Sequence, residues 1–128
     1  MKKMVFIVEK TGTGFSAFAE EDRYPIFTTG KNMAEIRKNV MEATNLWMEH
    51  KGLKEVTEKD VIIRLDLAQF FEYYKVINAS ALAERIGISQ SLLSQYANRI
   101  KVPSEKQVNR ILTGIRDLGK EFMHLELV

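Results

Sequence analysis

The sequence has no cysteine, so neither a disulfide framework nor a thiolate metal site can be built from it. Histidine is almost as scarce: His50 and His124 stand far apart in the chain and cannot make a zinc site by themselves. No metal and no other cofactor is expected. Neither sign of charge is in marked excess, because 19 Lys and Arg face 17 Asp and Glu, a formal net of +2. A balance that small does not by itself imply a nucleic-acid partner. Long apolar runs are missing as well. The run at residues 4–8 ends at Glu9 and Lys10, too short for a secretory h-region or a membrane span. The expectation is a cytoplasmic protein with no membrane partner, and the missing cysteines fit a reducing compartment.

What is present is a chain of 128 residues with 45% hydrophobic content, enough for one domain or two small ones and too little for a large enzyme. Its first half reads as strands around one helix. Residues 4–9 and 15–19 make a β-hairpin, with Gly12 and Gly14 expected to supply positive φ in the connection. Beyond the acidic loop Glu20-Glu21-Asp22-Arg23 and Pro25, the stretch Ile26-Phe27-Thr28-Thr29 reads as a third strand that Gly30 ends. Asn32, with Glu35 three residues on, is a capping-box variant that starts a helix, and Gly52 closes it. Met33, Ile36, Val40, Ala43 and Trp47 recur at spacings of three and four, a stripe that must be buried, and Met41 and Met48 widen it. Residues 54–60 are polar and read as a loop, and residues 61–67 alternate as a fourth strand.

The period then becomes helical, with helices expected over 68–75, 79–87, 90–99 and 105–120. A boundary near Leu67 divides the chain into domains 1–66 and 67–128. Met123, Leu125 and Leu127 share one side if the tail 122–128 is extended, so the tail either adds an edge strand across a dimer or prolongs the last helix and frays. Charge is also unevenly placed: residues 1–60 carry ten Lys/Arg and ten Asp/Glu, whereas residues 82–120 carry seven against three. That mild positive excess on a small helical unit suits phosphate.

The stretch from Leu82 to Ser104 gives each position a mechanical reason. Ala83 lets two helices approach closely, Gly87 accepts the positive φ that ends the first, Ile88 fills the wedge between them and Ser89 caps the second. With Leu82, Ile86, Leu93 and Tyr96 turned into a shared core, Gln90, Ser91, Ser94, Gln95 and Asn98 are left on the outer face, where amides and hydroxyls can bond base edges. Pro103 and Ser104, followed by Gln107, start a further helix whose stripe is Val108, Ile111, Leu112, Ile115 and Leu118. That helix closes the domain or builds a dimer interface.

Spacing and residue types over residues 66–120 resemble the Cro/repressor-like helix-turn-helix family. The resemblance implies that Gln90, Ser91, Ser94 and Gln95 face the major groove, that Asn98 reaches a base or the backbone, and that Arg99 and Lys101 contact phosphate. Ala79, Ala97 and Arg99 stand where that family often has glutamine, glutamate and glycine.

The first domain shows no catalytic constellation. Its carboxylates Glu9, Glu20, Glu21 and Asp22 are scattered over strand ends and loops, and Gly12 and Gly14 do not make a phosphate loop. An enzyme is not expected. Met1-Lys2-Lys3 with the strand to Glu9, then Gly14-Phe15-Ser16-Ala17, then residues 29–36 and Glu42-Ala43, resemble the HicB antitoxin family. The loop Glu21-Asp22-Arg23-Tyr24-Pro25 departs from it, lacking the usual proline-glycine-cysteine type of segment.

Together the two resemblances imply an α+β chain, with an N-terminal β-β-β-α-β partial ribonuclease-H-like domain joined to an all-α helix-turn-helix domain. They imply an antitoxin whose first domain covers the active site of a HicA-like mRNA-cleaving toxin. Its second domain, as a homodimer or higher homo-oligomer, would bind double-stranded operator DNA and repress its own promoter. The alternatives are a stand-alone repressor whose first domain senses a ligand or dimerises, and an interaction module that no longer binds DNA.

Overall fold

The computed structural model describes residues 2–128, in the order β1 (Met4–Lys10), β2 (Phe15–Ala19), β3 (Phe27–Gly30), α1 (Met33–His50), β4 (Val61–Leu65), α2 (Leu67–Tyr73), α3 (Ala79–Ile86), α4 (Gln90–Ala97) and α5 (Glu105–His124). This is a mixed α+β chain in two compact units, Met1–Asp66 and Leu67–Val128.

In the first unit the strands form one sheet of order β3-β2-β1-β4, antiparallel except for the parallel pair β1 and β4. A parallel pair needs a long crossover, and α1 is that crossover. Alternation assigns the faces: Met4, Phe6 and Val8 of β1, with Phe15 and Ala17 of β2, are buried, while Val5, Ile7 and Phe18 between them are half-buried. The register places Ile7 opposite Phe18 and Phe18 opposite Phe27, so one apolar row crosses three strands on the second face. It ends at Phe27, which is 64% exposed.

The start of α1 is as its sequence requires: the Glu35 N–H donates to Asn32 Oδ1 at 2.8 Å. Its end is a Schellman turn, with Leu53 N–H on the Met48 carbonyl, Gly52 N–H on the Glu49 carbonyl and Gly52 at φ +67°. The buried stripe, however, is Ile36, Val40, Thr44 and Met48, and Met33, Met41, Ala43 and Trp47 flank it half-buried. Strict four-residue spacing puts Thr44 at its centre, where hydrophobic periodicity had marked Ala43.

Three more expectations change. Gly12 and Gly14 are not at positive φ. Gly14 instead permits close approach, since a Cβ there would lie 2.4 Å from the Gly30 carbonyl oxygen and 3.0 Å from Lys31 Cα. Residues 54–60 are not a free polar loop: Val56 is buried, and its N–H and carbonyl both bond the Asn45 side chain, at 2.8 and 3.1 Å. A short 3₁₀ turn, Glu58–Asp60, then leads into β4. That strand stops at Leu65, because Leu67 and Phe71 already sit at helical spacing and pack on the core of the second unit.

That second core consists of Leu82, Ala83, Ile88, Leu93, Tyr96 and Ile111. Ile86, expected inside, is half-buried on its margin. The helix α5 runs on to His124, so of the two alternatives for the tail the helical one holds, and residues 125–128 are exposed and irregular. Of its stripe only Ile111 is fully buried, while Val108 and Leu112 are 38% and 37% exposed. Among the described residues no helix is long and apolar enough to cross a membrane.

Candidate nucleic-acid interface

The second unit presents the residues that the sequence marks for recognition. The helix α3 begins at Asn78, whose Oδ1 accepts the Ala81 N–H at 3.0 Å, a cap not foreseen although asparagine is a favoured residue there. It ends at Gly87 with φ +85°, where Ile88 N–H bonds the Ala83 carbonyl and Gly87 N–H the Glu84 carbonyl. Ile88 turns into the core, 9% exposed, and Ser89 Oγ accepts the Leu92 N–H at 2.9 Å to open α4. Three residues therefore connect two eight-residue helices, each with a defined role. Ala83, fully buried, is the small residue at their contact.

On α4 the two buried side chains are Leu93 and Tyr96, which turn the other side to solvent. Gln90, Ser91, Ser94 and Asn98 are exposed on that side, so the structure brings them together as one polar strip. Gln95 differs: it is half-buried, and its backbone carbonyl accepts from Ile100 and Lys101. Asn98 is partly committed, since its Nδ2 donates to the Ser94 carbonyl at 2.9 Å and to Ser94 Oγ at 3.3 Å. Those bonds use neither the Asn98 Oδ1, an acceptor, nor the Ser94 hydroxyl proton, a donor. Arg99 and Lys101 are exposed just beyond the C-terminal end of α4. They add positive charge where the strip ends.

Sequence reasoning missed Arg110. From α5 its Nη2 donates to the Gly87 carbonyl at 2.9 Å and to the Ile86 carbonyl at 3.4 Å. Arg85 and Glu121 form an ion pair across the same two helices. No local signal identifies either contact, because the partners are far apart in sequence.

The first unit offers less chemistry. Among the described residues no group of three or more His, Asp or Glu is placed to hold a metal ion. The Asp60 carboxyl is held below the ordinary aspartate range, first by the Thr57 backbone N–H that donates to its Oδ2 at 2.9 Å, and also by the Thr57 hydroxyl at 3.2 Å. Those are the bonds of a capped turn. Tyr24 and Trp47 meet edge to face with ring centroids 5.4 Å apart, and Arg23 lies over the Tyr24 ring.

Neither a protein-family model nor a curated protein matches this chain.

Proposed function

We propose that this chain is an antitoxin that also represses its own promoter. Its second unit is a Cro/repressor-like helix-turn-helix that binds double-stranded operator DNA, and its first unit holds a HicA-type mRNA-cleaving toxin by covering its active site. It works by binding alone, with no catalytic step and no cofactor, in the cytoplasm where operator and message lie.

The observation that carries this reading is α4. It is a capped helix with Leu93 and Tyr96 locked inward and Gln90, Ser91, Ser94 and Asn98 outward, standing three residues after a glycine-ended helix. An α-helix fits the major groove, and amide and hydroxyl groups on its outer face can pair with base edges. Arg99 and Lys101 supply phosphate contacts at its end.

Two further features support the whole. Val108, Leu112, Ile115, Gly119 and Phe122 follow coiled-coil spacing along α5, and Val108, Leu112 and Phe122 are 38%, 37% and 59% exposed. A second copy of α5 would cover the three exposed side chains, and such a dimer would present two recognition helices to half-sites that lie about 34 Å, one helical turn, apart on DNA. For the first unit, the β-β-β-α-β order and its parallel closing pair are the features on which the partial ribonuclease-H-like reading rests.

The test is genetic and biochemical. Small open reading frames beside the native gene are expressed singly and together with the full-length chain. The expected result is that one arrests growth through mRNA cleavage, that the chain relieves the arrest, and that the two proteins co-purify. If no neighbour is toxic and the chain still represses its promoter, the stand-alone repressor takes its place.

A further inference from the structure

Arg110 immediately precedes Ile111, the fully buried anchor of α5, yet its guanidinium reaches across to the end of α3. The last carbonyls of a helix have no intrahelical partner and lie at the negative end of its dipole, so a cation that donates there satisfies both needs. The two carbonyls that Nη2 meets, Ile86 and Gly87, open the connection Gly87-Ile88-Ser89 that leads into α4. One turn further along α5, Gly114 makes room for Ile86: a Cβ there would lie 2.5 Å from Ile86 Cγ1. Close approach at Gly114 and the bond from Arg110 thus hold α5 against the turn at neighbouring points.

An exposed arginine on a positively charged helical unit is ordinarily assigned to phosphate. Here the geometry points to another role. We propose that Arg110 is a positioning residue, which sets the direction in which α4 leaves the turn and so the presentation of Gln90, Ser91 and Ser94, without itself touching DNA. This rests on the DNA-binding reading of α4. Nη2 of the guanidinium is already engaged on the protein, at 2.9 Å with the Gly87 carbonyl and 3.4 Å with that of Ile86, and this holds the plane of the group toward the turn, whereas a phosphate-binding arginine turns its whole fork to the ligand.

The experiment compares full-length wild type, Arg110→Ala and Arg110→Lys on a selected operator duplex and on a random duplex, across a salt series and below the thermal midpoint of each protein. Backbone amide shifts are recorded on the free proteins. In Arg110→Ala, specific affinity should fall about tenfold, as for loss of one charge-assisted bond. Random-duplex affinity and the salt slope should stay as in wild type. The lysine variant, which keeps a cationic donor for the Gly87 carbonyl, should recover most of the loss, and the alanine variant's amide shifts should concentrate at residues 86–92. A salt slope lowered by about 0.9, with equal losses on both duplexes, would make Arg110 a phosphate contact and overturn the proposal. Unperturbed amides at 86–92 would overturn it too. If wild type itself binds no DNA, the underlying reading fails, and the amide shifts still decide whether Arg110 holds the turn.

Discussion

Arg99 ends α4 in the same left-handed conformation in which Gly87 ends α3, with φ +61° and +85°. The same pair of bonds closes both turns: Ile88 to Ala83 and Gly87 to Glu84 in the first, Ile100 to Gln95 and Arg99 to Tyr96 in the second. Glycine takes that conformation at no steric cost, and arginine does not. The backbone favours glycine at residue 99, so what arginine adds there is its side chain.

Stability and binding should therefore move in opposite directions in Arg99→Gly. Urea unfolding followed by circular dichroism should show a gain of about 1 kcal/mol. DNA affinity should fall, and the slope of log affinity against log salt should shrink by about 0.9. A variant that binds as tightly as wild type removes Arg99 from the phosphate contacts.

Gly114 should resist alanine, and Gly119 should welcome it. In a helix interior Ala is better than Gly by about 1 kcal/mol. At Gly119 a Cβ meets nothing within 4 Å among the described residues, so that gain should be realised in the single chain, measured at a concentration too low for two copies of α5 to pair. At Gly114 the added Cβ would lie 2.5 Å from Ile86 Cγ1 and 2.8 Å from Cδ1, and overpacking should cost about 1 to 3 kcal/mol. Denaturant midpoints of the two variants, shifted in opposite directions from wild type, check the α3–α5 contact.

Thr44 is fully buried at the centre of α1, and its hydroxyl has no hydrogen-bond partner among the described residues. Leaving such a group unsatisfied costs about 1 to 3 kcal/mol, and valine has nearly the same shape. Thr44→Val should raise the unfolding free energy by about 1 kcal/mol. A loss instead would mean that the hydroxyl is bonded in solution.

The depressed pKa of Asp60 gives a pH dependence with a definite sign. A carboxylate bonded in the folded state contributes stability above its unfolded pKa and loses it as pH falls through the lower folded value. Acid titration of Asp60→Asn against wild type should therefore show the wild-type advantage at neutral pH vanishing in acid. A constant difference across that range would place the effect elsewhere than in Thr57 and Asp60.

Local grammar carries much of this fold. Asn32, Ser89 and Ser104 are readable as caps because one side chain and one N–H three residues on decide the matter. The outward face of α4 is readable for the same reason, since Leu93 and Tyr96 fix which side is buried. What sequence does not carry is contact at long range. Asn45 grips Val56 from 11 residues away and Arg110 reaches Gly87 from 23, and no period links such pairs. Thr44 escapes for another reason: hydrophobic periodicity does not register a polar residue at the centre of a buried stripe. The half-burial of Gln95 likewise depends on how α4 sits in its unit.

The most direct test of the central claim is selection of double-stranded oligonucleotides from a random pool by the full-length chain, with affinity for the winners measured from 50 to 200 mM salt. The account predicts one enriched inverted repeat, affinity falling steeply with salt by about 0.9 log unit per log unit for each phosphate contact, and a loss of about 1 to 3 kcal/mol in base preference for Gln90→Ala. An unenriched pool bound with no dependence on salt would contradict it.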